Sequence, residues 1–236
     1  MHRLHTSGII ALIGLVFVAL VSLGIWQLSR HDYKHALQQE RTAAITASPL
    51  LVSEAVGKRI EELEYHRLVL EGEWDYGRIQ IITNRTRYGL RGEELYVPLI
   101  PKSGGPAILV NRGWYPTPER TYVLNTLESN TPDNGLILGQ LKSGRTSPEN
   151  GIWTRFDLNS IAAELPYDVA SFRVLAGELR NAHHQRLPNE VPVTGYQGYR
   201  NTTPHMEYAL TWFGLAITLV ITVSTRFWQH RRDRKF

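Results

Sequence analysis

An α+β membrane protein is the fold class this sequence predicts, with two transmembrane helices flanking a mostly antiparallel β extracytoplasmic domain. Three observations predict it. Charge-free apolar runs lie near both ends, from Ser7 to Ser29 and from Tyr208 to Thr225. Between them, short apolar runs alternate with Gly, Pro, Asn and Asp, the punctuation of short strands. The charge is also divided: residues 30–206 hold 20 Lys+Arg and 20 Asp+Glu, so the formal net charge of +4 arises outside them.

The elements follow in order. The run Ser7–Ser29 is long enough to cross a bilayer core with some tilt. It exceeds a signal-peptide h-region and no small-x-small site closes it, which predicts an uncleaved span. The predicted layout is a cytoplasmic N-terminus (1–7), a first span (8–29), an extracytoplasmic domain (30–205), a second span (206–225) and a basic tail (226–236). Arg3 precedes the first span without an acid, and five Lys/Arg follow Thr225 against Asp233 alone. Both termini are therefore expected in the cytoplasm. The domain then faces the periplasm of a bacterium, or the intermembrane space of an organelle.

Trp26, Arg30 and Lys34 leave the first span four residues apart, on one helix face. Helix is expected to continue through Asp32–Thr46. Ser48-Pro49 reads as an N-cap with proline at the first helical position, opening a short helix to about Gly57. Strands are expected at Arg67–Leu70, Ile79–Thr83, Leu95–Ile100, Ala107–Asn111, Leu136–Gln140, Ile152–Phe156 and Phe172–Ala176. Asp157 is placed to cap a helix over Leu158–Leu165. Residues 180–201, rich in Pro, Gly and polar side chains, read as a linker back to the membrane.

Candidate chemistry concentrates where the second span begins. His205, Tyr208 and Trp212 fall on one helix face, three and then four residues apart. The pattern has two readings: an interfacial aromatic belt with a solvated histidine, or a seat for a flat, apolar, metal-bearing ligand. Residue chemistry alone favours the first. His31 and His35 share a face but lack a third ligand nearby, and His183-His184 lies in a polar stretch. There is no cysteine and only Met1 and Met206, which speaks against disulfides, thiolate metal sites and Cu(I) carriage. No phosphate loop, nucleophile elbow or zincin motif is present. The balanced charge of the middle region gives nucleic acid no basic face. Asn111-Arg112-Gly113-Trp114 reads as chiefly structural, Gly113 forming a turn or bulge with Trp114 packed beneath it; an acidic partner loop for Arg112 is an alternative that nothing in the sequence demands.

Four blocks carry a resemblance: Leu23-Gly24-Ile25-Trp26-Gln27-Leu28-Ser29-Arg30 with Lys34; Arg67 to Gly72 with Asn84-Arg85-Thr86; Pro98-Leu99 with Val110-Asn111-Arg112-Gly113-Trp114; and His205 with Tyr208-Ala209-Leu210-Thr211-Trp212-Phe213-Gly214. In this order the chain resembles the Surfeit locus protein 1 family of cytochrome c oxidase assembly proteins. The pattern departs at Glu93-Glu94-Leu95-Tyr96, at Thr203-Pro204, and over residues 117–151. The resemblance implies a non-catalytic assembly factor of the bacterial inner membrane that assists haem a handling or insertion into oxidase subunit I. It further implies His205 as iron ligand, with cytochrome oxidase subunit I, haem a synthase and membrane lipid as partners. Beside this, Tyr208 and Trp212 are placed to pack on a porphyrin, and Arg30 and Lys34 to meet its propionates. The alternative is a scaffold that binds no haem, or a sensor-like periplasmic interaction protein. A sensor needs a cytoplasmic output domain, and only eleven residues follow Thr225.

Overall fold

The computed structural model describes residues 2–129, 131–139, 151–177, 187, 189–195 and 204–233. The chain divides into two compact units, one of Met1–Gln39 with Asn201–Phe236 and one of Glu40–Arg200.

The helix α1 (His2–Thr46) opens the chain without a break, as expected for 32–46. After it come β1 (Leu50–Leu51), α2 (Val52–Ala55) and α3 (Ile60–Leu63). Here the expected Ser48-Pro49 cap is replaced. Leu50 and Leu51 pair alongside Leu68 and Val69. The short helix then starts after Leu51, whose N–H donates to Glu54 Oε2 at 2.7 Å. A glutamate at the third helical position reaching back to the cap N–H does what the Ser48 side chain was expected to do.

The strands are β2 (Arg67–Val69), β3 (Gly72–Trp74), β4 (Gln80–Ile82), β5 (Gly92–Pro101) and β6 (Ala107–Pro116). After α4 (Arg120–Thr126) come β7 (Asn134–Leu138), β8 (Ile152–Trp153), α5 (Leu158–Ala163) and β9 (Val169–Ala176). They form one sheet in the order β1-β2-β7-β9-β6-β5-β4-β8, with β3 also on β5. The sheet is mixed: most of its pairings are antiparallel, as expected, and parallel pairs join them. Among the described residues, β1·β2, β4·β8 and β6·β9 are parallel and the other five pairings antiparallel. The reason is connection length. Parallel neighbours need a crossover, and between β6 and β9 the chain passes through α4, β7, β8 and α5.

The central strands are buried on both faces. Every residue of β6 is buried, and in β5 only Ile100 is not. One face carries Ile82, Tyr96, Leu109, Trp153 and Phe156 against Leu158 and Ile161 of α5. Ile81, Leu95, Val97 and Tyr115 pack with Val123 and Leu127. Leu68, Leu99, Ile108, Val110, Phe172 and Val174 build a further cluster beneath α2. The Asp157 cap is present, its side chain accepting from the N–H groups of Asn159 and Ser160.

Gly113 makes the expected bulge. Leu95 lies opposite Gly113 and Tyr96 opposite Asn111, so Arg112 is the extra residue. Gly113 has φ +127°, and a Cβ there would lie 2.9 Å from Pro192 Cβ. Asn111 Oδ1 accepts from the Gly113 N–H at 2.8 Å, holding the bulge shut. Arg112 is thereby turned inward and is only 4% exposed, in keeping with a structural role for the motif. Its guanidinium donates to Tyr76 Oη at 3.1 Å and to the Leu127 carbonyl at 3.2 Å, above the Trp74 ring. Within the expected linker, Val193 exchanges two backbone hydrogen bonds with Trp114, at 3.0 and 2.7 Å. Part of that segment thus belongs to the sheet.

Two fully buried tyrosines make the domain's stability sensitive to alkali. Burial, then the Glu94 carboxylate, raises the Tyr96 phenol above its ordinary value; burial, then Glu93, does the same at Tyr115. The folded chain therefore keeps protons that the unfolded chain gives up above about pH 10. Stability is full below that pH and falls as pH rises from there. Urea midpoints of the sheet domain should decline between pH 9 and 11, and Tyr115→Phe should flatten the decline. An equal decline in the variant removes Tyr115 as a cause.

Candidate functional site

Two helices are long and apolar enough to cross a membrane: one within α1, from Gly8, and α6 (His205–Asp233), over His205–Arg232. The unit formed by the two ends of the chain holds α6 and α1 up to Gln39. The covered residues of α6 are His205, Ala209, Trp212, Phe213, Ala216, Leu219 and Val223, spaced by turns along one stripe. On α1 the buried position is Gly24. A Cβ at Gly24 would lie 2.6 Å from Cε1 of Phe213, so the glycine is where that ring meets the α1 backbone. One turn further along α1, Gln27 Oε1 lies 2.8 Å from His205 Nδ1. Because 24 meets 213 and 27 meets 205, the helices run antiparallel.

This contact defines the chemistry at His205. A neutral imidazole has one N–H and one lone pair. With Nδ1 donating to the Gln27 oxygen, the lone pair is on Nε2, and no hydrogen bond to Nε2 is present among the described residues. A half-buried imidazole with one nitrogen held and the other open is the arrangement found in histidines that ligate metals.

The other expected site residues are placed unevenly. Trp212 is half-buried on the same stripe as His205, while Tyr208 is 49% exposed, off that stripe. Arg30 is exposed, its guanidinium 5.2 Å from the Tyr33 ring centroid, and Lys34 is exposed. Neither makes a hydrogen bond or ion pair with His205 among the described residues. His31 and His35 stack with ring centroids 6.1 Å apart. No three His, Cys, Asp or Glu side chains converge as a metal-ion site among the described residues. His183-His184 lies outside the described residues.

In the sequence Gln27 stands out only as one member of the Leu23–Arg30 block. The available signal was a lone amide in an otherwise apolar exit turn, since polar side chains in spans seek partners on neighbouring helices. Its partner lies 178 positions away, which no local pattern identifies.

A mixed-sheet domain inserted in sequence between two paired apolar helices is the class of protein these features define. The chain belongs to the SURF1 family, whose model matches residues 14–217. It is similar to a SURF1-like protein of Rickettsia felis, 27% identical over 221 residues, covering 88% of this chain and 91% of the relative. It is also similar to a SURF1-like protein of Caenorhabditis briggsae, 25% identical over 96% of this chain and 75% of the relative. Surfeit locus protein 1 of Xenopus tropicalis is 24% identical over 94% of this chain and 75% of its own.

Proposed function

We propose that this protein is a non-catalytic assembly factor for haem-copper cytochrome c oxidase that assists haem a handling or insertion into subunit I. The observation that carries the reading is His205, with Nδ1 tied to Gln27 and Nε2 open at the head of α6. A lone imidazole is a poor site for a bare metal ion, which asks for three or four ligands. It suits iron that arrives with four ring nitrogens of its own and needs one axial ligand. The donor set on α6 therefore fits haem.

In this reading His205 holds the iron through Nε2. Tyr208 and Trp212 supply aromatic surface for the macrocycle, and Arg30 and Lys34 supply cations for its propionates. Haem a itself supplies the redox and oxygen chemistry of the oxidase after delivery. The chain's part is to bind, orient and release. Its partners are subunit I, haem a synthase and the surrounding lipid. The basic tails support a bacterial inner-membrane protein with both termini cytoplasmic and the sheet domain periplasmic.

The test is the absorption spectrum of the full chain purified after co-expression with haem a synthase. The wild type should carry haem a bands. His205→Ala should lose or shift them while remaining inserted, and should lower the haem content of the partner oxidase. Unchanged bands and haem content in His205→Ala would make the protein a scaffold for subunit I.

A further inference from the structure

We infer that Gln27 is a positioning residue for His205, and that the ligand atom is presented only while the two apolar helices are paired. The inference rests on the haem reading for the identity of the ligand, but its structural half stands without it. Gln27 comes from α1 and His205 from α6, and their polar atoms are 2.8 Å apart. The amide oxygen accepts a hydrogen bond from Nδ1–H, which fixes the tautomer, and it stops the ring from rotating about its bond to the chain. Both effects are what outer hydrogen-bond partners do for metal-binding histidines, orienting the ring and raising its basicity. Low surrounding polarity strengthens the bond, since few waters compete for either group.

The register that makes this contact is set one turn away. Phe213 packs against Gly24, where a Cβ would come within 2.6 Å of the ring. Gly24 and Gln27 are three residues apart on α1, so they share a face. A larger side chain at 24 wedges the helices apart at the turn that carries Gln27. His205 then loses its acceptor although neither residue has been touched. The site is therefore a joint property of both helices: an unpaired α6 has the histidine but not the defined ligand atom.

The experiment uses the full chain in lipid nanodiscs with 15N-labelled histidine, the His205 signals being those absent from His205→Ala. In the wild type without haem, His205 should be the Nδ1–H tautomer. Gln27→Met, which keeps the side-chain length and removes the acceptor, should shift it toward the Nε2–H form. Gln27→Glu should restore Nδ1–H, and Gly24→Leu should behave like Gln27→Met. Titration with haem a should show about 10–100-fold weaker binding in Gln27→Met, recovered in Gln27→Glu. An Nε2–H tautomer in the wild type, or an unchanged tautomer in Gln27→Met, overturns the positioning role. A changed tautomer with unchanged haem affinity overturns its link to the ligand. If the wild type takes up no haem a at all, the haem reading fails, and the tautomer result still decides the role of Gln27.

Discussion

Trp114→Ala should destabilise the sheet domain by about 3–5 kcal/mol, the range for emptying a large aromatic from a core. Trp114 is 0% exposed. Its indole N–H donates to the Arg85 carbonyl at 2.6 Å, and its ring lies 5.6 Å from that of Tyr88. On its other side a Cβ at Gly92 would come within 2.4 Å of the ring, so the sheet has no slack into which neighbours could collapse. The substitution leaves a cavity and strands a carbonyl, and both act in the same direction. Urea unfolding followed by fluorescence of the remaining tryptophans checks it. A midpoint equal to that of the parent would show that the Arg85–Leu90 loop can settle into the vacated space.

Glu94→Ala should cost a comparable amount, about 3–5 kcal/mol, for an electrostatic reason. Glu94 is 8% exposed on β5. Its carboxylate pairs with Arg87, lies 3.8 Å from Arg85 Nε, and accepts from Tyr96 Oη at 3.3 Å and Asn111 Nδ2 at 3.4 Å. Arg173, 9% exposed, donates to the same Tyr96 hydroxyl and sits 4.4 Å from the Phe156 ring centroid. Removing this carboxylate takes away the ion-pair partner that Arg85 and Arg87 share. Arg85 is more open to water than Arg87, so most of the loss falls on Arg87. Glu94→Gln keeps the shape and an acceptor oxygen and should lose less, about 1–3 kcal/mol. Equal stability of Glu94→Ala and the parent in a denaturant titration would mean that the arginines turn outward at no cost.

This carboxylate shows where sequence reading stops. Glu93-Glu94 looks like a polar intrusion into a strand, and nothing local says that three arginines on β9 and the 83–91 loop converge near one of the two acids. Glu93 instead meets Arg120, the Arg120 Nε donating to Glu93 Oε2 at 2.8 Å. The features that were legible are those encoded within a few residues: the apolar runs of α1 and α6, the strand cores, the Asp157 cap and the Gly113 bulge. The features that were not depend on partners distant in sequence. Strand periodicity states which face a side chain takes but not the direction of the neighbouring strand, so the parallel β6·β9 pair was invisible. The cap at Leu51 went to Glu54 because β1 paired with β2 and drew Leu50 out of the expected helix. At the candidate site helical spacing put His205 and Trp212 on one face but also Tyr208, which lies off their stripe, and Gln27 required knowledge of which turn of α1 lies against His205.

The strand order also dictates how the domain is completed in time. Among the described residues β9 is the last strand made, with only the Val193 bridge to follow, yet it sits in the middle, between β7 and β6. Among the described residues it is the only strand joining β1-β2-β7 to β6-β5-β4-β8. Until residue 176 is available, the chain can form two separate half-sheets, each ending in an open edge. The β6 edge is the more hazardous, for every one of its residues is buried in the finished fold. A chain moving through a membrane from its N-terminus would hold that apolar edge exposed while more than fifty residues follow β6. Closure then waits for a distant parallel pairing, a slow kind of step. The finished sheet is thus sealed by its final strand, and a chain cut before Val169 would be left as two sticky pieces rather than a smaller domain.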